Sequence, residues 1–224
     1  MTSNKIKAVI FDMDGVLIDS ESSWQQAEFE TMQALGLPIT YQDTLQTTGL
    51  RIDQVVHYWY QRYPWANYDN AATAKAIVDS VVADINLRGQ AMKGVVDALN
   101  YCREQGYKIG LATSSSSAII SAVLNKLSIA KYFDAMQSAE SLAFGKPHPE
   151  VYILCAQQLD TPFHQCIAIE DSFNGLIAAK AANMQTCIIP AAEQGSLSRW
   201  QIADSQLNNL DQLIPLLQQN TKPS

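Results

Sequence analysis

The amino-acid sequence predicts an α/β fold, a doubly wound parallel sheet with an all-helical cap inserted after the first strand. Three observations support this fold class. Short apolar segments have the composition of buried parallel strands. From about residue 90 onward they alternate with helical patterns, whereas residues 20–88 contain helical patterns but no convincing strand. We therefore expect the core at residues 1–19 and 89–224, and the cap at residues 20–88.

Four apolar segments are the predicted strands of the core: residues 6–11, 107–112, 165–169 and 185–189. Helical patterns lie around the later segments, at residues 94–105, 116–127, 148–159 and 174–182. This alternation implies right-handed crossovers and a sheet that helices cover on both faces. In open sheets of this kind, ligands bind outside the carboxyl ends of the strands.

Residues 20–88 contain three predicted helices, at about residues 21–35, 51–63 and 70–87. Aromatic residues are concentrated in the same part of the chain: Trp24, Trp59, Tyr60, Trp65 and Tyr68. A helical insertion that leaves the carboxyl end of the first strand would stand over the ligand crevice of the sheet. For this reason we expect the insertion to act as a cap.

Composition and charge exclude several classes of protein. With 47% hydrophobic and 17% charged residues, the chain is neither disordered nor fibrous. The net charge of −7 argues against nucleic acid and anionic membranes as partners, but not against a small phosphorylated ligand. The four cysteines form no CxxC pair, and the start of the chain lacks a secretory pattern. We therefore expect a cytoplasmic protein with reduced, buried cysteines. We also expect a monomer.

An acidic pair, Asp12 and Asp14, follows the first predicted strand. Carboxylates two residues apart at a strand end point to the same side, where they repel each other unless a cation is bound or one is protonated. Gly15 allows the chain to turn sharply after them. A solvated acidic turn is the alternative interpretation, and the buried strand that precedes the pair weakens it.

Two further segments carry groups that suit a phosphate. Thr113 and Ser114 end the second predicted strand, where a hydroxyl and free N–H groups at a helix start could hold phosphate oxygens. Lys146 stands between glycine and proline at a helix entrance, and it could offset charge on a phosphoryl group. The alternatives are an ordinary helix N-cap for the hydroxyls and a solvated loop residue for the lysine.

A second acidic pair, Glu170 and Asp171, follows the apolar segment Cys166–Ile169. Such a pair is either a helix cap stabilised by the helix dipole or part of a ligand set for a hard metal ion. All these groups are expected at the carboxyl ends of strands in one sheet. The combination of acids, one lysine and one hydroxyl is the set required for Mg²⁺-dependent phosphoryl transfer to a carboxylate.

The order of these motifs resembles the haloacid dehalogenase superfamily. The resemblance rests on Asp12-Met13-Asp14-Gly15-Val16, Thr113, Lys146 and Glu170-Asp171, with Asp19-Ser20-Glu21 and Gly145-Lys146-Pro147 around them. The chain is most similar to the branch with a helical cap and a Rossmann-like core, which contains β-phosphoglucomutase and sugar-phosphate phosphatases. In the cap, Gly49-Leu50-Arg51 and the aromatic segment resemble 2-deoxyglucose-6-phosphate or hexitol-phosphate phosphatases.

The resemblance implies a mechanism. Asp12 would be the nucleophile that forms an aspartyl-phosphate, and Asp14 would protonate the leaving alkoxide and then help to deprotonate water. Mg²⁺ would be held by the side chains of Asp12 and Asp171 and by the backbone carbonyl of Asp14. Glu170 would bind the metal through water or directly.

The same resemblance assigns the substrate contacts. Thr113 and the backbone N–H of Ser114 would hold phosphate oxygens, and Lys146 would neutralise the phosphate and Asp12. Arg51 is a candidate substrate contact because a guanidinium binds oxyanions through two hydrogen bonds; a surface arginine at a helix start is the alternative. Mutases of this branch carry a histidine where this chain has Trp24, and an indole cannot replace the proton chemistry of histidine.

Three functions are consistent with these residues. The first is an Mg²⁺-dependent phosphatase acting on a hexose, deoxyhexose or hexitol phosphate. The alternative enzyme is a phosphohexomutase of the β-phosphoglucomutase type, which Trp24 disfavours. The third is a receiver that accepts a phosphoryl group on an aspartate without catalysing turnover, which the large helical insertion disfavours.

Overall fold

The computed structural model describes residues 5–219, and six strands within this range form a single sheet. The strands are β1 (Ala8–Phe11), β2 (Lys108–Thr113), β3 (Ala135–Ser138), β4 (Cys166–Glu170), β5 (Gln185–Ile188) and β6 (Ser205–Gln206). They are all parallel and lie in the order β3-β2-β1-β4-β5-β6. The chain builds the sheet outward from β1 on one side and then crosses to β4 on the other. The predicted doubly wound parallel sheet is therefore confirmed.

Eight α-helices accompany the sheet in the described range. They are α1 (Glu21–Ala34), α2 (Ile52–Arg62), α3 (Asn70–Arg88), α4 (Val95–Glu104), α5 (Ser117–Leu127), α6 (Glu150–Gln158), α7 (Phe173–Ala181) and α8 (Leu213–Gln219). The predicted helices and strands all exist, with ends that differ by two residues or fewer. The sequence did not predict β3, β6 or α8.

The strands are apolar because helices cover both faces of the sheet. In β1, Val9 and Phe11 belong to a hydrophobic cluster on one face, and Ala8 and Ile10 belong to a second cluster on the other. All four side chains are fully buried. A strand buried on both faces reads as a continuous apolar run, which is the pattern that the sequence displays.

The helices α1, α2 and α3 follow β1 and precede α4, and residues 20–88 contain no strand. The long helix α3 packs against α1 and α2, and it also contacts α5 of the core. This helical content agrees with a cap. The division of the chain at residues 19/20 and 88/89 stays a prediction, and residues 1–4 and 220–224 of the predicted core lie outside the described range.

Register places the ends of the central strands side by side. Phe11 of β1 pairs with Leu111 of β2 and with Ile169 of β4, and the N–H of Asp12 donates to the carbonyl of Ile169 over 2.9 Å. The residues that follow these strands are therefore brought together at one edge of the sheet.

One expectation from composition, that of reduced and buried cysteines, can be compared with the fold. The four cysteines are buried and form no disulfide, as predicted: Cys102, Cys155, Cys166 and Cys187. Within residues 5–219, no helix has the length and apolar character needed to cross a membrane.

Candidate active site

The loops at the carboxyl ends of β1, β2 and β4 open into a cavity that α1, α2 and the segment between them cover. The cavity encloses about 840 Å³ including its open mouth, a size that suits a small-molecule ligand. Six of the eight candidate site residues line it: Asp12, Asp14, Thr113, Ser114, Lys146 and Asp171. Two others, Glu170 and Arg51, are not among its described lining residues.

Lys146 is a buried cation that joins two of the acids. Its Nζ lies 2.7 Å from Asp12 Oδ1 and 2.6 Å from Glu170 Oε1, and it also donates to the carbonyl of Ala112 over 3.1 Å. Burial by itself would lower the pKa of Lys146, but the two carboxylates outweigh it and raise the pKa. The ammonium therefore stays charged, and the interpretation of Lys146 as a solvated loop residue is wrong.

The buried acids repel one another. Burial raises the pKa of Asp12 to about 7; Glu170 and Asp14 act in the same direction, and Lys146 opposes them. Burial, Glu170 and Asp12 also raise the pKa of Asp171 well above its ordinary value. One ammonium is too little positive charge for these carboxylates, so a cation among them would favour their ionised forms.

Glu170 is saturated by hydrogen-bond donors. Its Oε1 accepts from Lys146 Nζ and from the hydroxyl of Tyr152, at 2.6 and 2.7 Å. Its Oε2 accepts from the N–H groups of Asp171 and Ser172 and from the hydroxyl of Ser172, at 3.0–3.2 Å. These five donors occupy the acceptor positions of a carboxylate. In this structure Glu170 therefore positions Lys146 and the loop after β4.

Three acids of the site, Glu170 among them, lie close enough together to fit a hard divalent cation. Oxygens of Asp12, Glu170 and Asp171 lie within 4.8 Å of one another, and carboxylate oxygens are the ligands that Mg²⁺ prefers. Gly15 leaves room for the Asp171 carboxylate beside the loop after β1, because a Cβ at position 15 would lie 2.0 Å from Asp171 Oδ2. The φ of Gly15 is +74°, which glycine adopts without strain. Because five donors engage Glu170 in this structure, the oxygens of Asp12 and Asp171 are the more available to such an ion.

The Asp14 carboxylate lies between the core and the first helix of the predicted cap. Oδ1 accepts from the hydroxyl of Ser20 at 2.6 Å and from Trp24 Nε1 at 2.8 Å, and Oδ2 accepts from the hydroxyl of Ser115 at 2.7 Å. Ser20 directly precedes α1 and Trp24 lies in its first turn, whereas Ser115 follows β2. The orientation of Asp14 therefore depends on the position of α1 relative to the core.

The loop after β2 carries two buried, unpartnered hydroxyls beside the cavity. Ser114 Oγ and Ser116 Oγ are buried and have no hydrogen-bond partner among the described residues, and both serines line the cavity. Thr113 Oγ1 accepts from the N–H of Ser115 over 3.0 Å. Buried hydroxyls are normally hydrogen-bonded, so Ser114 and Ser116 indicate a ligand that accepts hydrogen bonds, such as a phosphate.

A family model described as haloacid dehalogenase-like hydrolase matches residues 6–183 of the chain. The chain belongs to the haloacid dehalogenase-like hydrolase family. It is 40% identical to hexitol phosphatase B of Escherichia coli (strain K12), over 95% of this chain and 96% of that protein. It is 31% identical to fructose-1-phosphate phosphatase YqaB of the same organism, over 79% of this chain and 92% of that protein.

Solved structures of this hydrolase family have the same fold. CbbY from Rhodobacter sphaeroides in complex with phosphate has a TM-score of 0.81 and 27% identity, over 93% of this chain and 96% of that chain. A β-phosphoglucomutase from Clostridium difficile has a TM-score of 0.81 and 26% identity, over 96% of each chain. The resemblance drawn from the motifs is confirmed.

Arg51, the candidate substrate contact, is bound by other groups of the protein in this structure. Its guanidinium donates to the carboxylate of Asp53, at 2.6 and 2.8 Å, and to the carbonyls of Ala139 and Leu142, at 2.8 and 2.5 Å. Asp53 belongs to α2, whereas both carbonyls belong to the segment after β3. In this arrangement Arg51 links α2 to the core, outside the cavity lining.

Sequence reasoning missed several polar residues of the hydrolase site. Ser20, Ser115 and Tyr152 bond to its acids, Ser116 presents a free hydroxyl, and Glu28 is a buried acid in the lining. The run of four serines at 114–117 was the available signal for two of them. The spacing of Ser20, Trp24 and Glu28, four residues apart on one helix face, was a second signal.

Proposed function

We propose that the chain is an Mg²⁺-dependent phosphatase that removes phosphate from a hexose, deoxyhexose or hexitol phosphate through an aspartyl-phosphate at Asp12. One observation carries the proposal. Asp12, held by Lys146 at 2.7 Å, shares a cavity with the unpartnered hydroxyl of Ser114. Phosphoryl transfer to a carboxylate requires a carboxylate nucleophile, a fixed cation and hydrogen-bond donors that hold the phosphate oxygens.

In the first step, a carboxylate oxygen of Asp12 forms a bond to phosphorus while the bond from phosphorus to the sugar oxygen breaks. Protonated Asp14 gives its proton to the departing alkoxide, so that the sugar leaves as a neutral alcohol. Ser20, Trp24 and Ser115 orient the carboxyl group of Asp14 for this transfer. Lys146 and the hydroxyls of Thr113 and Ser114 stabilise charge on the phosphoryl oxygens.

In the second step, water attacks the phosphorus of the aspartyl-phosphate. Asp14, now ionised, takes a proton from that water, and the bond between phosphorus and the Asp12 oxygen breaks. Inorganic phosphate and the free carboxylate of Asp12 are the products. Protonated Asp14 is thereby regenerated, so the cycle closes without another reactant.

The side chains of Asp12 and Asp171 and the backbone carbonyl of Asp14 would hold Mg²⁺. When bound, the cation supplies positive charge that lowers the repulsion between the phosphate and the carboxylates. Glu170 contributes indirectly, because it fixes Lys146 and the backbone of Asp171.

The substrate class follows from two relatives and from the cavity. Their names assign one to hexitol phosphates and the other to fructose 1-phosphate, and the cavity volume suits a phosphorylated molecule of that size. We also propose that residues 20–88 act as a cap over the cavity and that the chain works as a cytoplasmic monomer.

The phosphohexomutase alternative is weaker, although β-phosphoglucomutase has the same fold. The indole of Trp24 donates to Asp14 where mutases of this branch carry a histidine, so this position cannot exchange protons with a sugar hydroxyl. A receiver without turnover is unsupported, since the chain belongs to a hydrolase family.

Phosphate release tests the proposal. The purified chain is assayed with Mg²⁺ on hexitol phosphates, hexose 6-phosphates and 2-deoxyglucose 6-phosphate, beside the variant Asp12→Asn and the matched exposed control Asp97→Asn. We expect turnover by the wild type and by Asp97→Asn, and its loss in Asp12→Asn. Near-native release by Asp12→Asn would overturn the nucleophile, and formation of an isomeric sugar phosphate instead of free phosphate would support the mutase.

A further inference from the structure

A buried acid on α1 has no part in the mechanism above. Glu28 lies one helical turn beyond Trp24 and two beyond Ser20, so the three side chains share one face of the helix. Trp24 and Glu28 both line the cavity. Ser20 and Trp24 on this face bond to Asp14. Glu28 therefore places its carboxyl group at the same cavity, about 12 Å along the helix from Ser20.

Glu28 is buried without a cation. Its residue is 7% exposed, and its partners among the described residues are neutral groups, the indole of Trp59 and the hydroxyl of Thr47. Burial raises the pKa of Glu28 to about 7, against the effect of these two donors. A carboxyl group in such surroundings lowers stability when it ionises, and this location therefore calls for a functional explanation.

The protein does not satisfy the hydrogen-bonding capacity of Glu28. A carboxylate offers about four acceptor positions. Trp59 Nε1 fills one of them, at 2.5 Å from Oε1. The single hydroxyl proton of Thr47 is shared among both oxygens of Glu28, at 2.8 and 3.0 Å, and the carbonyl of Thr44, at 2.8 Å. At least two acceptor positions therefore remain for donors from outside the protein.

The cavity around Glu28 suits uncharged donors. Its lining from the helical region includes the apolar side chains of Leu50, Ile52 and Val55. Lys146 is the only lysine or arginine among the described lining residues, and it is already bound to two acids. Nothing in the described lining would neutralise a second anionic group, and the Glu28 carboxylate would repel it.

We propose that Glu28 is a specificity-determining residue that accepts hydrogen bonds from the hydroxyl groups of the substrate. It thereby selects phosphate esters of neutral polyols over esters without hydroxyls and over bisphosphates. This inference rests on the proposed phosphatase function, since it concerns the polyol part of the substrate rather than the phosphate group. The leaving group, rather than the phosphate, is what Glu28 recognises.

Two substrates of equal chain length isolate this role. A hexitol monophosphate offers hydroxyls to Glu28, and n-hexyl phosphate offers none. The ratio of their kcat/KM values is measured for the wild type, Glu28→Met, Glu28→Gln and the control Glu30→Gln, whose side chain is exposed on the same helix. Because hydrogen bonds to a carboxylate are among the stronger ones in proteins, we expect the ratio to fall at least tenfold in Glu28→Met.

Glu28→Gln should show a smaller loss, because the amide keeps one acceptor oxygen, and it should accept a hexitol bisphosphate better than the wild type does. Glu30→Gln should leave both ratios unchanged. Equal losses on the hexitol and hexyl esters in Glu28→Met would overturn the proposal, because a purely structural role lowers both alike.

The wild type alone provides a second test that does not depend on folding of the variants. We expect it to prefer the hexitol monophosphate to the bisphosphate and to hexyl phosphate by about tenfold or more. Hydrolysis of all three at similar kcat/KM would overturn the role of Glu28 and leave the phosphatase function standing. Failure to release phosphate from any ester would instead overturn the phosphatase function.

Discussion

Trp24 donates a hydrogen bond from Nε1 to Asp14 Oδ1 across 2.8 Å, and this bond joins α1 to the loop after β1. Ser20 donates to the same oxygen from the residue before α1. The proposed acid and base is therefore oriented by the helix that also covers the cavity. A displacement of α1 would remove two of the three described donors to Asp14. The orientation of the Asp14 carboxyl group is therefore linked to the covering of the cavity by α1.

Trp24→Phe should lower kcat with little change in the fold. Phenylalanine keeps an apolar ring over the cavity but cannot donate to Asp14, and loss of one such hydrogen bond to a charged group corresponds to about a tenfold effect. Steady-state phosphate release measures it. Trp65→Phe, in the aromatic cluster of the helical region, is the matched control and should keep the wild-type kcat. Equal kcat values in the two variants would show that Trp24 does not orient Asp14 for catalysis.

Asp171→Asn and Glu170→Gln should separate metal binding from positioning. We expect Asp171→Asn to weaken Mg²⁺ binding strongly, because it replaces a side chain that would hold the ion. Glu170→Gln should mainly lower kcat, because it disturbs Lys146 and the loop after β4. Calorimetric titration with Mg²⁺ and the Mg²⁺ dependence of kcat provide the two readouts. A larger loss of Mg²⁺ affinity in Glu170→Gln would make Glu170 a direct ligand.

Glu28 should make stability depend on pH. Its pKa is raised from 4.5 to about 7 in the folded chain, so the native state binds this proton more tightly than the unfolded state does. The stabilisation is complete below pH 4.5 and is lost as the pH rises through about 7. The stability advantage of Glu28→Gln over the wild type should therefore grow across that range, by up to roughly 3 kcal/mol.

Urea unfolding at a series of pH values measures this difference, with Glu30→Gln as the control that should follow the wild type. A difference between Glu28→Gln and the wild type that stays constant from pH 4.5 to pH 7 would contradict the raised pKa.

Arg51→Lys should lower stability more than it changes substrate preference. The guanidinium joins Asp53 of α2 to two carbonyls of the segment after β3, and an ammonium cannot reproduce this planar set of bonds. We expect a loss of about 1–2 kcal/mol in unfolding free energy and the same order of substrates in the phosphate-release panel. A reordered panel at unchanged stability would restore Arg51 as a substrate contact.

The central strands could be predicted because burial on both faces makes them continuously apolar, as in β1. The strand β3 could not, since its residues Met136 and Gln137 are exposed or half-buried and its four residues carry no apolar run. With two polar residues, β6 carries even less signal.

The site residues that end strands could be predicted for a similar reason. Asp12, Thr113 and Glu170 directly follow or end apolar runs, so their common position at one sheet edge follows from topology. The donors to Asp14 come from separate elements, and their convergence depends on how α1 packs against the core. Arg51 shows the same limit, because the sequence around it does not distinguish a guanidinium that binds an oxyanion from one that binds carbonyls.

Direct capture of the covalent intermediate tests the central claim that Asp12 bonds to phosphorus. The chain is mixed with a hexitol phosphate and Mg²⁺, quenched in acid within one turnover and treated with borohydride, which reduces an aspartyl-phosphate to homoserine. Peptide mass spectrometry then reads the residue at position 12. We predict homoserine at that position in the wild type and unchanged side chains at Asp14 and Asp171. Reduction at another acid, or at none while phosphate is being released, would contradict the account.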